Sequence, residues 1–199
     1  MDDAISARMF EASDSNALLR GFNVVLTLSN DGRVVLLVFF ALLYHSYAEI
    51  VHSAGLLGAL NHVIATKSRV FELLVLVLLD SALCALLKTI IRRPRPPYGM
   101  EKLNGEIFLL SDIYSCPSGH ASRAFLLGYF ACEHIANGPP LLRLVPGWSF
   151  LVALSRIALG RHYLSDVVLG SIIGLVNYHL FYHQGVRSHL FSLLKLYIS

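Results

Sequence analysis

Residues 70–91 form an unbroken, predominantly apolar run, and a helix of about 20 such residues crosses a bilayer. Three further runs follow at 120–136, 141–159 and 163–182, and a fifth lies at 34–51 with His45 and Glu49 near its end. A chain of 199 residues cannot hide this many apolar runs from water. Hydrophobic residues make up 55% of it, charged residues only 15%, and the mean hydropathy is +0.61. Soluble domains carry about 25% charged residues. The composition excludes disorder, a collagen-like chain and a nucleic-acid-binding tail. The net charge of +3 is too small to imply a nucleic-acid partner. Three scattered cysteines, Cys84, Cys116 and Cys132, supply neither a disulfide framework nor a zinc site. The runs are too long and too rich in leucine for strands, and there is no internal repeat. The prediction is an all-α, polytopic membrane bundle of about five transmembrane helices, forming one domain over 1–199.

Around these spans, residues 4–28 predict an amphipathic or partly embedded N-terminal helix. Residues 53–65 predict a weak extra or re-entrant helix, and 190–198 an interfacial segment. Residues 1–16 begin with acids and lack a basic stretch before an apolar one, so no cleavable signal peptide is predicted and the first span serves as the insertion signal. Threading the spans puts the long connection 92–119 and the 160–163 turn on one membrane face, with the N-terminus. Eleven of the sixteen Lys and Arg fall on that face and five on the other. Setting aside Lys88, Arg95 and Arg156, which chemistry could place there, leaves eight against five. The positive-inside rule makes that face cytosolic.

Three polar clusters break the apolar pattern, and the threading brings all three to the same face. The first runs from Lys88 to Pro96, the second is Pro117-Ser118-Gly119-His120, and the third runs from Ser155 and Arg156 to His162 and Asp166. Charges near the ends of a membrane bundle need partners or a function. Each cluster has a bland counterpart. A basic run at a helix exit commonly anchors a span, a Pro-Ser pair commonly caps a helix, and a His–Asp pair at i,i+4 is commonly structural. Convergence is what points to a pocket. Pro94, Pro96 and Pro97 stop the helix and turn Arg95 back over the site. Lys88 lies one turn inside, where its ammonium either snorkels or meets an anion. The unpaired N–H groups at a helix start favour an anion, Ser118 adds a hydroxyl, and Gly119 allows close backbone approach. His162 and Asp166 share one helix face, so the carboxylate can fix the imidazole and stabilise its positive form. Two histidines, only one with a carboxylate, suggest a nucleophile and a proton donor.

Taken together, K-x6-RP, PSGH and SR-x5-H-x3-D in this order resemble the type 2 phosphatidic acid phosphatase (PAP2) superfamily of membrane lipid phosphatases. Lys88, Arg95, Pro96, Pro117, Ser118, Gly119, His120, Ser155, Arg156, His162 and Asp166 fill every motif position. The resemblance covers 88–166, and the wording YSCPSGHASRAF and GRHYLSDVVLG is most similar to the polyisoprenoid and presqualene diphosphate phosphatase branch. It implies a PAP2-like helical core. It also implies that Lys88, Arg95, Arg156, Ser118 and the Gly119 amide hold the phosphoryl oxygens. By the same resemblance His162 attacks phosphorus, Asp166 orients His162, and His120 protonates the leaving oxygen. The implied substrates are polyisoprenoid diphosphates or monophosphates, with no cofactor and no metal, since three cations and a helix terminus can neutralise the transferring group. The expected setting is the endoplasmic reticulum or nuclear envelope, with the bilayer and a lipid phosphate as partners and no obligate protein partner. The rivals are a phosphatidate or lysophosphatidate phosphatase, a lipid phosphotransferase, a vanadate-holding haloperoxidase, a catalytically silent scaffold, and a channel or transporter.

Other polar positions carry blander expectations. Asp80 lies eight residues, about 12 Å, deeper than Lys88, too far for phosphate contact, and predicts a structural partner. Gly170 and Gly174 fit helix packing inside the bundle. Arg123 suits either a second phosphate or a headgroup anchor. Cys116 predicts an inert pocket wall. The remaining histidines show no metal-ligand spacing.

Overall fold

The computed structural model describes residues 1–65, 69–100, 113–134 and 144–183, with 188–189 and 192–193. The regular elements among these residues are helices, and the one bridge among them pairs Pro94 with Tyr114. The expectations for the centre of the long connection, for the 137–141 turn and for most of 190–198 lie outside the described residues. Among the described residues eight helices follow in order: α1 Asp2–Asp14, α2 Ala17–Ser29, α3 Gly32–Ala65, α4 Arg69–Ile91, α5 Pro97–Met100, α6 Gly119–His134, α7 Val145–Ala158 and α8 Leu164–His183.

The N-terminal segment differs from the single helix predicted over 4–28. Asn16 breaks it by capping α2, its Oδ1 accepting from the Leu18 and Leu19 amides at 3.0 and 3.1 Å. Asparagine is among the best N-cap residues because its short side chain reaches those first unpaired N–H groups. The next break falls at Asn30 and Asp31, where Asp31 Oδ1 accepts from the Arg33 amide at 2.9 Å. α2 and the first part of α3, to His45, are bent by 48° at this point and together are long and apolar enough for one broken span. Within α3 the backbone departs from helix at Gly55, with φ 72°, three residues past the predicted boundary at residue 52 and inside the segment predicted over 53–65.

α4 and Leu164–Tyr182 of α8 are each long and apolar enough to cross a membrane alone, while α7 is a shorter apolar helix. α6 is the hub, packed most extensively on α8 and α7 and also on α4. One core joins Val35, Phe39, Leu76, Val77, Leu126 and Tyr178 from α3, α4, α6 and α8. Outward, Leu37, Leu86, Ile90 and Ile172 are more than half exposed, as an apolar rim facing lipid should be. The chain is an all-helical integral membrane protein.

Polar contacts fasten the interior. Asp80 is fully buried and accepts from Ser122 Oγ at 2.6 Å and Asn177 Nδ2 at 2.7 Å, tying α4 to α6 and α8. It is the structural partner expected. Arg123 donates to the Asn30 carbonyl and to Ser81 Oγ, both at 3.0 Å. It therefore links α6 to the α2–α3 bend and to α4. A Cβ on Gly170 or Gly174 would overlap the backbone carbonyl of Ser118 or Ser122, so these glycines let α8 lie directly on α6.

Candidate active site

α4 ends where Arg92 turns into the left-handed region at φ 52°, and Pro94 prevents the helix resuming. The exiting chain then runs beside 113–117. The Ser115 amide donates to the Arg93 carbonyl at 2.9 Å, and Ser115 Oγ donates to the Pro94 carbonyl at 3.0 Å. This places the first cluster against the second. Arg95 Nη1 donates to the Arg161 carbonyl at 3.0 Å and joins the first to the third. The Ser118 amide donates to the Asp166 carbonyl at 3.0 Å and joins the second to the third. Lys88 and Arg156 are buried and Arg95 is half-buried beside them.

Ser118 starts α6 in the manner of a cap, its Oγ accepting from the Ala121 amide at 3.4 Å. The N–H groups of Gly119 and His120 have no partner further back in the helix and face outward along its axis. A Cβ on Gly119 would meet nothing closer than Cys84 at 3.9 Å. The protein itself would accommodate a side chain there.

His162 is buried, and its Nδ1 lies 2.6 Å from the Ser115 carbonyl. A carbonyl only accepts, so Nδ1 carries the proton and Nε2 carries the lone pair. The i,i+4 spacing predicts that Asp166 does this orienting, but Asp166 Oδ2 stands 3.9 Å from Nδ1. Its carboxylate is engaged elsewhere: Oδ2 accepts from the Tyr163 amide at 2.9 Å and Oδ1 from Arg93 Nη1 at 2.7 Å. A third-position acid reaching back to the cap amide is one half of a capping box. Asp166 thus starts α8 and sets a negative charge near His162 without being its hydrogen-bond partner. Burial lowers the His162 pKa well below its ordinary value, and the charges of Arg95, Arg156, Lys88 and His120 push it the same way. The half-buried His120 ring presents Nε2 as a buried atom with no hydrogen-bond partner. Cys116 is buried, and burial raises its thiol to about 11, too high for a reactive thiolate.

Two residues of this site escape sequence inspection. Arg93 bonds Asp166, Ser165 Oγ at 2.6 Å and Asp2 Oδ2 at 2.9 Å, and lies 4.1 Å over the Tyr163 ring. In sequence it is one more member of a basic run. Ser115 contributes a backbone carbonyl, which any residue possesses. Among the described residues, no three His, Cys, Asp or Glu side chains are grouped to hold a metal ion.

Fold and site together define a helical membrane protein with a buried, cation-flanked histidine beside a helix N-terminus. The chain belongs to the PAP2 superfamily, whose model matches residues 69–189. It is 32% identical to the probable lipid phosphate phosphatase beta of Arabidopsis thaliana, over 50% of this chain and 58% of that protein. It is 35% identical to diacylglycerol pyrophosphate phosphatase 1 of Saccharomyces cerevisiae (strain ATCC 204508 / S288c), over 38% of this chain and 30% of that protein. For sphingosine-1-phosphate phosphatase 1 of Mus musculus the figures are 38% identity, 48% and 23%. The matches thus span less than two thirds of each of these relatives. The fold is similar to that of the first transmembrane PAP2 type phosphatidylglycerolphosphate phosphatase from Bacillus subtilis, with TM-score 0.63 and 22% identity over 94% of this chain and 85% of that one. It is also similar to Aquifex aeolicus LpxE, with TM-score 0.58 and 22% identity over 89% and 92%.

Proposed function

We propose that this chain is a single-domain, metal-independent lipid phosphate phosphatase that hydrolyses polyisoprenoid diphosphates or monophosphates through a phosphohistidine. The observation that carries the reading is the His162–Ser115 hydrogen bond, which leaves the lone pair on Nε2 while the charges of Arg95, Arg156 and Lys88 act on the ring. Nε2 attacks phosphorus as the bond to the leaving oxygen breaks, and His120 gives that oxygen its proton. His120 then takes a proton from water, whose oxygen attacks the phosphohistidine and frees phosphate and His162. Lys88, Arg95, Arg156, Ser118 and the Gly119 amide hold the phosphoryl oxygens throughout. Such preorganised charge is commonly the largest catalytic contribution. The positive charge gained by His162 in the first step faces Asp166. The active site opens to the cytosol from the endoplasmic reticulum or nuclear envelope.

The relatives' names specify other headgroups, which sets the assay. Purified protein is given farnesyl diphosphate, presqualene diphosphate, phosphatidate, diacylglycerol pyrophosphate and sphingosine-1-phosphate side by side in EDTA. Phosphate release, fastest from the isoprenoid substrates, is expected. Preference for a glycerolipid or sphingoid substrate would replace the substrate assignment. Loss of activity in EDTA with recovery in Mg²⁺ would overturn the cation clamp.

A further inference from the structure

We propose that the helical pair α1–α2, which lies outside the matched residues 69–189, positions the phosphate site, with Thr27 aiming Arg156 and Asp2 holding Arg93 on Asp166. The inference rests on the phosphate-site reading above.

Beside apolar packing of Met9 and Leu26 on α6 and α7, polar contacts from this pair reach motif residues and their immediate neighbours. Arg156 Nη1 donates to Thr27 Oγ1 at 2.9 Å, and that oxygen lies 3.3 Å from Ser155 Oγ. A guanidinium is a planar, rigid fork, so fixing one edge sets the direction of the whole group. Just past α2, Asn30 Nδ2 donates to the His120 carbonyl at 2.7 Å. α1 serves the third cluster. Asp2 Oδ1 accepts from the Ser165 amide at 3.0 Å, Oδ2 accepts from Arg93 Nη2 at 2.9 Å and from Ser165 Oγ, and Ser6 Oγ accepts from the Leu164 amide at 3.0 Å. The first N–H groups of α8 have no partner within that helix; α1 supplies them. Burial opposes ionisation of Asp2, yet its hydrogen bonds from Ser165 and Arg93 hold its carboxyl below the ordinary range. Apolar packing by Met9 and Leu26 would suffice for a helix pair that merely covered the bundle. This one delivers a hydroxyl and a carboxylate to Arg156 and to the partner of Asp166, and sites work only when side chains are held within about 0.5 Å.

The test uses the full chain in detergent, comparing Thr27→Val, Thr27→Ser and Asp2→Asn by calorimetric titration with orthovanadate, by kcat and KM, and by thermal unfolding. Thr27→Val should weaken orthovanadate binding and lower kcat/KM about tenfold, the value of one hydrogen bond to a charged group, while Thr27→Ser restores both. Asp2→Asn should lower kcat severalfold with KM little changed. Thr27→Ala carries the same expectation as Thr27→Val, so a Val variant that fails to fold does not decide the matter. Unchanged binding and turnover in the hydroxyl-free variants, or a Ser variant as weak as Val, would overturn the inference. If the wild type binds orthovanadate but hydrolyses none of the lipids, the proposed function falls, and the Thr27 affinities still decide the positioning role. If it does neither, both fall.

Discussion

Ser118 and Asp166 are joined main chain to main chain, the Ser118 amide donating to the Asp166 carbonyl at 3.0 Å. The bond couples the starts of α6 and α8, so the first turn of one helix moves with the turn that carries His162 into the other. In the proposed phosphate site it takes the Ser118 amide out of the set free to meet the anion, leaving the Gly119 and His120 amides.

The glycines around this junction should divide by substitution. At Gly170 and Gly174 a Cβ would overlap backbone carbonyls of α6, so alanine should cost about 1–3 kcal/mol, as overpacking does. At Gly119 a Cβ has ordinary space, so Gly119→Ala should melt near the wild type while losing about tenfold in orthovanadate affinity (roughly 1.4 kcal/mol). Differential scanning fluorimetry with a vanadate titration separates the two. Wild-type affinity in Gly119→Ala would remove the helix start from the anion site.

The histidines should separate by leaving group. His162→Ala should abolish any covalent phosphoenzyme and lose heavily on every substrate. His120→Ala should lose about 10²–10⁴-fold on an alkyl monophosphate, the usual value of positioned acid catalysis, and far less on p-nitrophenyl phosphate, whose leaving group needs no proton. Alkaline quench with labelled substrate should trap a base-stable, acid-labile adduct in the wild type. Its persistence in His162→Ala would reassign the nucleophile.

Burial and the surrounding cations lower the His162 pKa, and two pH effects follow. As the proposed nucleophile it must be neutral, so the acid limb of kcat/KM should fall below the ordinary imidazole value of about 6.5. Arg95→Gln removes one of the positive charges acting on the ring and should move that limb upward; Arg156, Lys88 and His120 keep pushing it down, while Asp166 opposes them. For stability, the unfolded state binds the His162 proton at a higher pH than the folded state. This group's contribution is therefore fully present above about pH 6.5 and is lost as pH falls below it. A limb unmoved by Arg95→Gln would place His162 outside the field of that cation.

Arg93 should behave as a structural cation with a catalytic consequence. Asp166 is fully buried, and Arg93→Met strips it of its charged partner. Leaving a buried charge unpaired costs about 3–5 kcal/mol. The lower end is expected, because the Arg93 side chain is 32% exposed and water can replace part of the contact. Arg93→Lys keeps the charge but loses the planar fork that reaches Asp2, Ser165 and Asp166 together, so its melting temperature should fall between the other two. Equal melting temperatures for all three would show that Asp166 needs no cation.

Legibility in the sequence tracked how much of each interaction resides in side chains at fixed spacing. Lys88, Arg95, Ser118, His120, Arg156, His162 and Asp166 could be singled out because their side chains interrupt apolar runs, and the structure brings their segments to one place. Asp80 could be understood as a buried partner from depth alone. The Ser115 carbonyl could not, because a main-chain acceptor has no sequence signature, and its absence left Asp166 as the only visible partner for His162. Arg93 was masked by its neighbours in RRPRP, where position alone does not say which guanidinium turns inward. The break at Asn16 did have a signal, an Asp-Ser-Asn run before Leu-Leu, which is N-cap chemistry.

Gly99 and Gly160 meet backbone to backbone: a Cβ on Gly99 would overlap the Gly160 carbonyl, and one on Gly160 would crowd Gly99 Cα and the Phe10 ring, each at 2.9 Å. Gly160 also takes φ 66°, which side-chain-bearing residues rarely adopt. For engineering, the two positions form one inheritable unit. A chimera that imports the Gly99 segment after α4 from a relative must import the α7–α8 turn from the same parent. Grafted alone, either would arrive without the matching surface that lets it close.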